Sequence, residues 1–183
     1  MFIINRLSII LFFGVVSLSF GKNIYMTREG VVEFFSSTPI EDIKAYNKQV
    51  SCVLNYETGN FAFQVPIKGF MFKNALMQEH FNENYLESDI YPKSVFKGEI
   101  KDWDSIAIND STLNIKLVGE LTIHGVTNNI EQNATIWRKS ENLVGKCKFI
   151  ISLEDYNVKI PKIVRQNIAE SIEIKVDVNL SKR

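Results

Sequence analysis

Apolar and polar residues alternate along most of the chain in short runs separated by Gly, Pro, Asn and Asp. The last run puts Ile172, Ile174, Val176, Val178 and Leu180 on one face and Glu173, Lys175, Asp177 and Asn179 on the other. A period of two is the mark of a half-buried strand. The same reading holds for Leu113–Ile123, for Ile130–Arg138, and for the inward set Leu143, Gly145, Cys147, Phe149, Ile151 and Leu153. Val50–Tyr56 and Phe61–Ile67 form a pair across the turn 57–60, with Pro66 placing the second strand at an edge or a bulge. Ser94–Trp103 is a further strand, with Phe96, Gly98 and Ile100 on one side. In Ile24–Ser36, Arg28-Glu29-Gly30 reads as a hairpin-like turn between two short strands.

Three segments break the alternation. Thr38-Pro39-Ile40-Glu41 matches a capping box with proline at the first helical position, predicting a helical turn or two through Tyr46. A ragged helix is expected from Asn74, with Phe81, Tyr85 and Leu86 near one face, ending at Ser88-Asp89. Pro161 opens a stretch to Ile172 with helical apolar spacing, read as a short helix. About eight strands and two or three short helices make an all-β chain, and one polar face per strand excludes a parallel sheet covered on both sides. A sandwich and a barrel both satisfy this pattern. The long runs of large inward residues favour an eight-stranded antiparallel barrel, which can enclose one small ligand.

The first 21 residues alter the setting. One early Arg6, an apolar run from Ile9 to Val16, and Ser19 and Gly21 at the small positions describe a cleaved secretory signal cut after Gly21. The run is too short for a membrane span, and no cysteine follows the cut to accept a lipid. The expected organisation is thus a signal at 1–21 and one domain at 22–183, periplasmic or secreted. Of the 21 basic residues one lies in the signal, leaving 20 against 21 acidic. That balance, without a Lys/Arg cluster, argues against nucleic acid as a partner. Cys52 and Cys147 read as small buried residues on inward strand faces, with a disulfide as the alternative.

Two motifs carry a family resemblance: HFNENYLESDIYPKSVF (His80–Phe96) and GELTIHGVT (Gly119–Thr127). They resemble the YceI-like family of bacterial envelope proteins, whose members carry an aromatic-acidic run, then Tyr-Pro, then a strand starting with Phe. Some thirty residues later comes a strand ending in Leu-Thr, an apolar residue, and His-Gly-Val-Thr. The resemblance implies a lipocalin-like barrel holding a long apolar chain, such as a polyisoprenoid. The segment before Tyr91-Pro92 departs from the better-known members by placing Asn82-Glu83-Asn84 among its aromatics.

The residues offer little for catalysis. His80 and His124 are the only histidines and lie 44 residues apart without ligand-like neighbours, so no metal is expected. No Gly-x-Ser-x-Gly elbow and no phosphate-binding glycine loop occurs, and paired carboxylates such as Glu154/Asp155 sit at turns. The expectation is no enzyme and no cofactor. The aromatics are richer: Phe34, Phe63, Phe72, Phe81, Tyr85, Phe96, Leu117 and Phe149 are the candidates for an apolar lumen and its lid. The expected partner is a long-chain apolar small molecule, isoprenoid or acyl lipid, carried by a monomer or homodimer. The alternative is a barrel filled by its own side chains that serves as a protein-interaction or envelope-stress domain.

Overall fold

The computed structural model describes residues 23–183, and the signal expected at 1–21 lies outside them. Nine strands follow one another: β1 (Ile24–Ser37), β2 (Asp42–Asn55), β3 (Asn60–Pro66), β4 (Met71–Phe72), β5 (Lys93–Ile100), β6 (Leu113–Ile123), β7 (Val126–Lys139), β8 (Asn142–Ser152) and β9 (Ser171–Lys182). Around the wall the order is β1-β9-β8-β7-β6-β5-β3-β2, every pairing is antiparallel, and β1 pairs with β2 to close the circle. Closure leaves the wall without a free edge strand, and only the two-residue β4 lies outside it, on β2. The molecule is therefore a closed eight-stranded antiparallel barrel with one extra strand.

The alternating runs became strands with few changes. Leu113–Ile123 is β6 to the residue, and its turn is the two-residue His124-Gly125 loop joining the Ile123↔Val126 pair. Both loop residues have positive φ, 49° and 75°, the conformation that matches the twist of a tight hairpin. Pro66 ends β3 but makes it neither an edge nor a bulge: β3 pairs with both β2 and β5, and Ile67 N donates to the Pro92 carbonyl at 2.9 Å in the register of Pro66↔Lys93.

Three other local expectations are corrected. Arg28-Glu29-Gly30 is not a turn between two strands but a bulge inside β1, where pairing with β2 jumps from Thr27↔Cys52 to Gly30↔Val50. The ladders with β2 and β9 resume on both sides of the irregularity, so the strand runs through it. Thr38–Glu41 caps no helix. Thr38 Oγ1 accepts from the amides of Ile40 and Glu41 at 3.3 and 3.1 Å, and Thr38 N donates to the Glu41 carbonyl, which closes a β1–β2 hairpin instead. Residues 42–46 pair with β1, and Ala45 and Asn47 are buried, so tertiary pairing overrides the local capping signal. The helix expected over 160–172 shrinks to one 3-10 turn at Lys162–Val164, because Ile172 already belongs to β9. Among the described residues the one α-helix is α1 (Ala75–His80), capped by Asn74 Oδ1 accepting from Leu76 N and extended by a π-turn over Phe81–Tyr85.

The two barrel ends differ. One is a packed floor, where Tyr25 and Tyr56 lie 5.4 Å apart and Trp103 meets Tyr56 edge-on. Arg138 donates to both tyrosine hydroxyls, at 3.3 and 3.2 Å. The other end is roofed by two crossing segments, 67–92 between β3 and β5, and 153–170 between β8 and β9.

Candidate functional site

Between floor and roof lies a cavity of about 440 Å³, within the range of sites that enclose one small molecule. The alternation that makes each strand also makes this space, since every second residue points inward. From Ile172 to Leu180, β9 advances about 26 Å, or about 20 Å along the axis once strand tilt is allowed for. The lining follows this wall from Ile172 to Leu180.

Phe34, Phe63, Phe72, Phe81, Tyr85, Phe96, Leu117 and Phe149 all line this cavity. Phe63, Phe96, Leu117 and Phe149 come from the walls. Phe34, on β1, stacks on Phe81 at 5.5 Å and meets Phe72 edge-on at 5.4 Å, so the roof rests on an aromatic cluster at one rim. Phe70 joins that cluster, 5.3 Å from Phe81. Burial raises the Tyr85 phenol, which keeps it neutral.

Sequence reasoning passed over part of the lining. Glu41 of the β1–β2 loop, Val164, Asn167 and Ile168 of the 153–170 segment, and Met77 and His80 of α1 also border the cavity, all from elements at its roofed end. Asn167 Nδ2 donates to Glu41 Oε2 at 3.2 Å, and Ala169 N donates to Ser36 Oγ at 2.9 Å. These bonds join residues more than a hundred positions apart, so no local pattern announces them.

His124 also does more than shape its turn. Its Nε2 lies 2.6 Å from Glu87 Oε2 and its Nδ1 lies 3.3 Å from the Tyr156 carbonyl, while Tyr91 packs edge-on against the ring at 4.7 Å. One side chain, 11% exposed, thereby touches both roof segments. Glu87 takes a positive φ of 43° to present its carboxylate, a small strain of the kind held only where surroundings enforce it.

Cys52 and Cys147 both face the cavity and are free thiols. Burial pushes Cys52 up to about 12 and Cys147 up to about 11, so neither is a nucleophile near neutrality. Among the described residues no group of three or more His, Cys, Asp or Glu is placed to hold a metal ion. No helix among them is long and apolar enough to cross a membrane.

Comparison with known proteins agrees with this architecture. The YceI-like domain profile matches residues 27–180. Among solved structures, a polyisoprenoid binding domain from Saccharophagus degradans superposes with a TM-score of 0.77 at 11% identity, covering 88% of this chain and 99% of the other. BcnA of Burkholderia cenocepacia gives 0.70 at 14% identity, with 83% and 96% covered. The YCEI protein of Campylobacter jejuni gives 0.60 at 16%, with 76% and 84% covered. At such identities the likeness is one of fold. No curated protein matches the chain by sequence.

Proposed function

We propose that this chain, which belongs to the YceI-like domain family, binds a long apolar molecule of isoprenoid or fatty-acyl type inside its barrel and shields it from water. The observation that carries this reading is the cavity: apolar along its walls and closed at the floor. Each methylene buried there contributes about 0.8 kcal/mol, so a chain binds tightly without a specific polar contact. Phe34, Phe63, Phe72, Phe81, Tyr85, Phe96, Leu117 and Phe149 form the contact surface, with Phe81 and Tyr85 on the roof. The polyisoprenoid-binding structural neighbour supports the choice of ligand class. A barrel filled by its own side chains, serving only as an interaction domain, would not leave this volume.

The setting we propose is the bacterial periplasm or the exterior, reached by cleavage after Gly21. No role as an enzyme is proposed, since the polar groups at the cavity do not form a nucleophile with its base. The test is native followed by denaturing mass spectrometry of the mature protein purified from its own envelope. Release of an apolar molecule of defined mass supports the carrier reading. Protein of bare mass that also takes up no added prenyl or acyl chain refutes it.

A further inference from the structure

We infer that the polar end of the bound chain sits at Glu41, His80 and Asn167, and that this end is an uncharged hydrogen-bond donor such as a hydroxyl, not a phosphate. The inference rests on the carrier reading and adds to it the chemical class of the ligand's head.

The cavity has two ends, and only one can receive a polar group. The floor is sealed by Tyr25, Tyr56 and Trp103, whose polar atoms are committed to Arg138 and to the Tyr56 carbonyl. At the roofed end the lining changes from apolar side chains to Glu41, His80 and Asn167. His80 is exposed, while Glu41 and Asn167 are half-buried, which marks this place as the mouth. A chain with one polar terminus therefore enters tail first and leaves its head here.

The charge at the mouth then selects the head. Glu41 supplies the one carboxylate on the lining. The one Lys or Arg among the lining residues, Lys146, lies on the outer face, with Nζ 2.9 Å from Asp177 Oδ2. On the roof, Lys73, Lys159, Lys162 and Arg165 are exposed and do not border the cavity, and Lys68 is paired with Asp89. A phosphate or diphosphate at the mouth would meet a carboxylate without a facing cation, and its like charge would oppose binding. Glu41 Oε2 already accepts from Asn167 Nδ2. Its other oxygen can accept from a hydroxyl in a charge-assisted bond, and the His80 ring offers a further polar contact. The mouth is built for a prenol or a long-chain alcohol.

Isothermal titration of the mature protein with farnesol and with farnesyl diphosphate, which share one tail, tests the assignment. Farnesol is expected to bind roughly tenfold tighter or more. Glu41→Gln keeps an acceptor for Asn167 but removes the charge, so it is expected to narrow that ratio at least about threefold, chiefly by tightening the diphosphate. Asn167→Lys, which places a cation beside Glu41, is expected to shift the ratio the same way. Equal or tighter binding of the diphosphate to the native chain overturns the assignment, as does a ratio unmoved by both substitutions. Binding of neither probe overturns the head-group assignment, and uptake of no prenyl or acyl chain overturns the carrier reading itself.

Discussion

Three glycines on inward strand faces look alike in the sequence and differ in the fold. Gly98 and Gly119 face each other across β5 and β6, and a Cβ on either would come within 2.0 or 2.2 Å of the other strand's carbonyl oxygen. They permit a close approach of backbones and leave no room for a ligand. Gly145 is the opposite case: beyond Val178 Cγ2 at 3.1 Å, a Cβ there meets nothing nearer than 4.0 Å. Gly98→Ala is expected to cost at least about 2 kcal/mol of stability by urea unfolding, since backbone must move. Gly145→Leu is expected to fold at a cost of about 1–3 kcal/mol, since Val178 Cγ2 must give way to the new Cβ, and to lose the proposed apolar ligand because its side chain enters the cavity. A Gly145→Leu protein that binds farnesol as the native chain does would show that the ligand lies elsewhere. The inward phenylalanines were legible because alternation fixes which face a residue takes. Which glycine opens space was not, since that depends on what stands opposite.

The two cysteines make a pH prediction at the same scale. Their thiols ionise near 9.0 in an open chain and at about 12 and 11 in the fold. The folded state thus holds these protons more tightly. Their contribution is complete below pH ~9 and is lost as pH rises from there toward 11–12. Cys52→Val is expected to make the alkaline fall in stability shallower, measured by urea unfolding between pH 8 and 11. Alkylation by iodoacetamide at pH 8 should be slow in the fold and rapid in urea. Fast labelling of both thiols in the folded protein would contradict this burial.

At the scale of elements, alternation predicted strands well and irregular segments poorly. β6 and β9 announce themselves because one face is core and the other water. Thr38–Glu41 carries a helix-start signal, yet the same Thr38 hydroxyl serves a hairpin equally well, and only the partners of β2 decide between them. The roof was the hardest part to read, since 67–92 and 153–170 are fixed by contacts distant in sequence. His124 is the clearest of these, joining Glu87 of one segment to the Tyr156 carbonyl of the other. His124→Asn tolerates the positive φ but is too short to span both partners. It is expected to cost about 1–2 kcal/mol and to speed hydrogen exchange at residues 86–91 and 154–158 together. Faster exchange in one segment alone would show that His124 does not couple them.

For the whole molecule, barrel and sandwich were both consistent with the strand pattern, and the β1–β2 pairing is what distinguishes them. That pairing joins neighbouring strands across a four-residue loop, but the loop reads as a helix cap, so the closure was hidden at the point where it occurs. The closed wall and aromatic interior support the proposed sleeve for an apolar chain, and the inferred polar mouth would hold its one polar end. The most direct test is a crystal structure of the mature protein grown with farnesol. Continuous density running down the lumen past Phe96 and Leu117, with its hydroxyl at Glu41 and Asn167, is the predicted result. An empty lumen, or farnesol seated only on the outer surface, would contradict it.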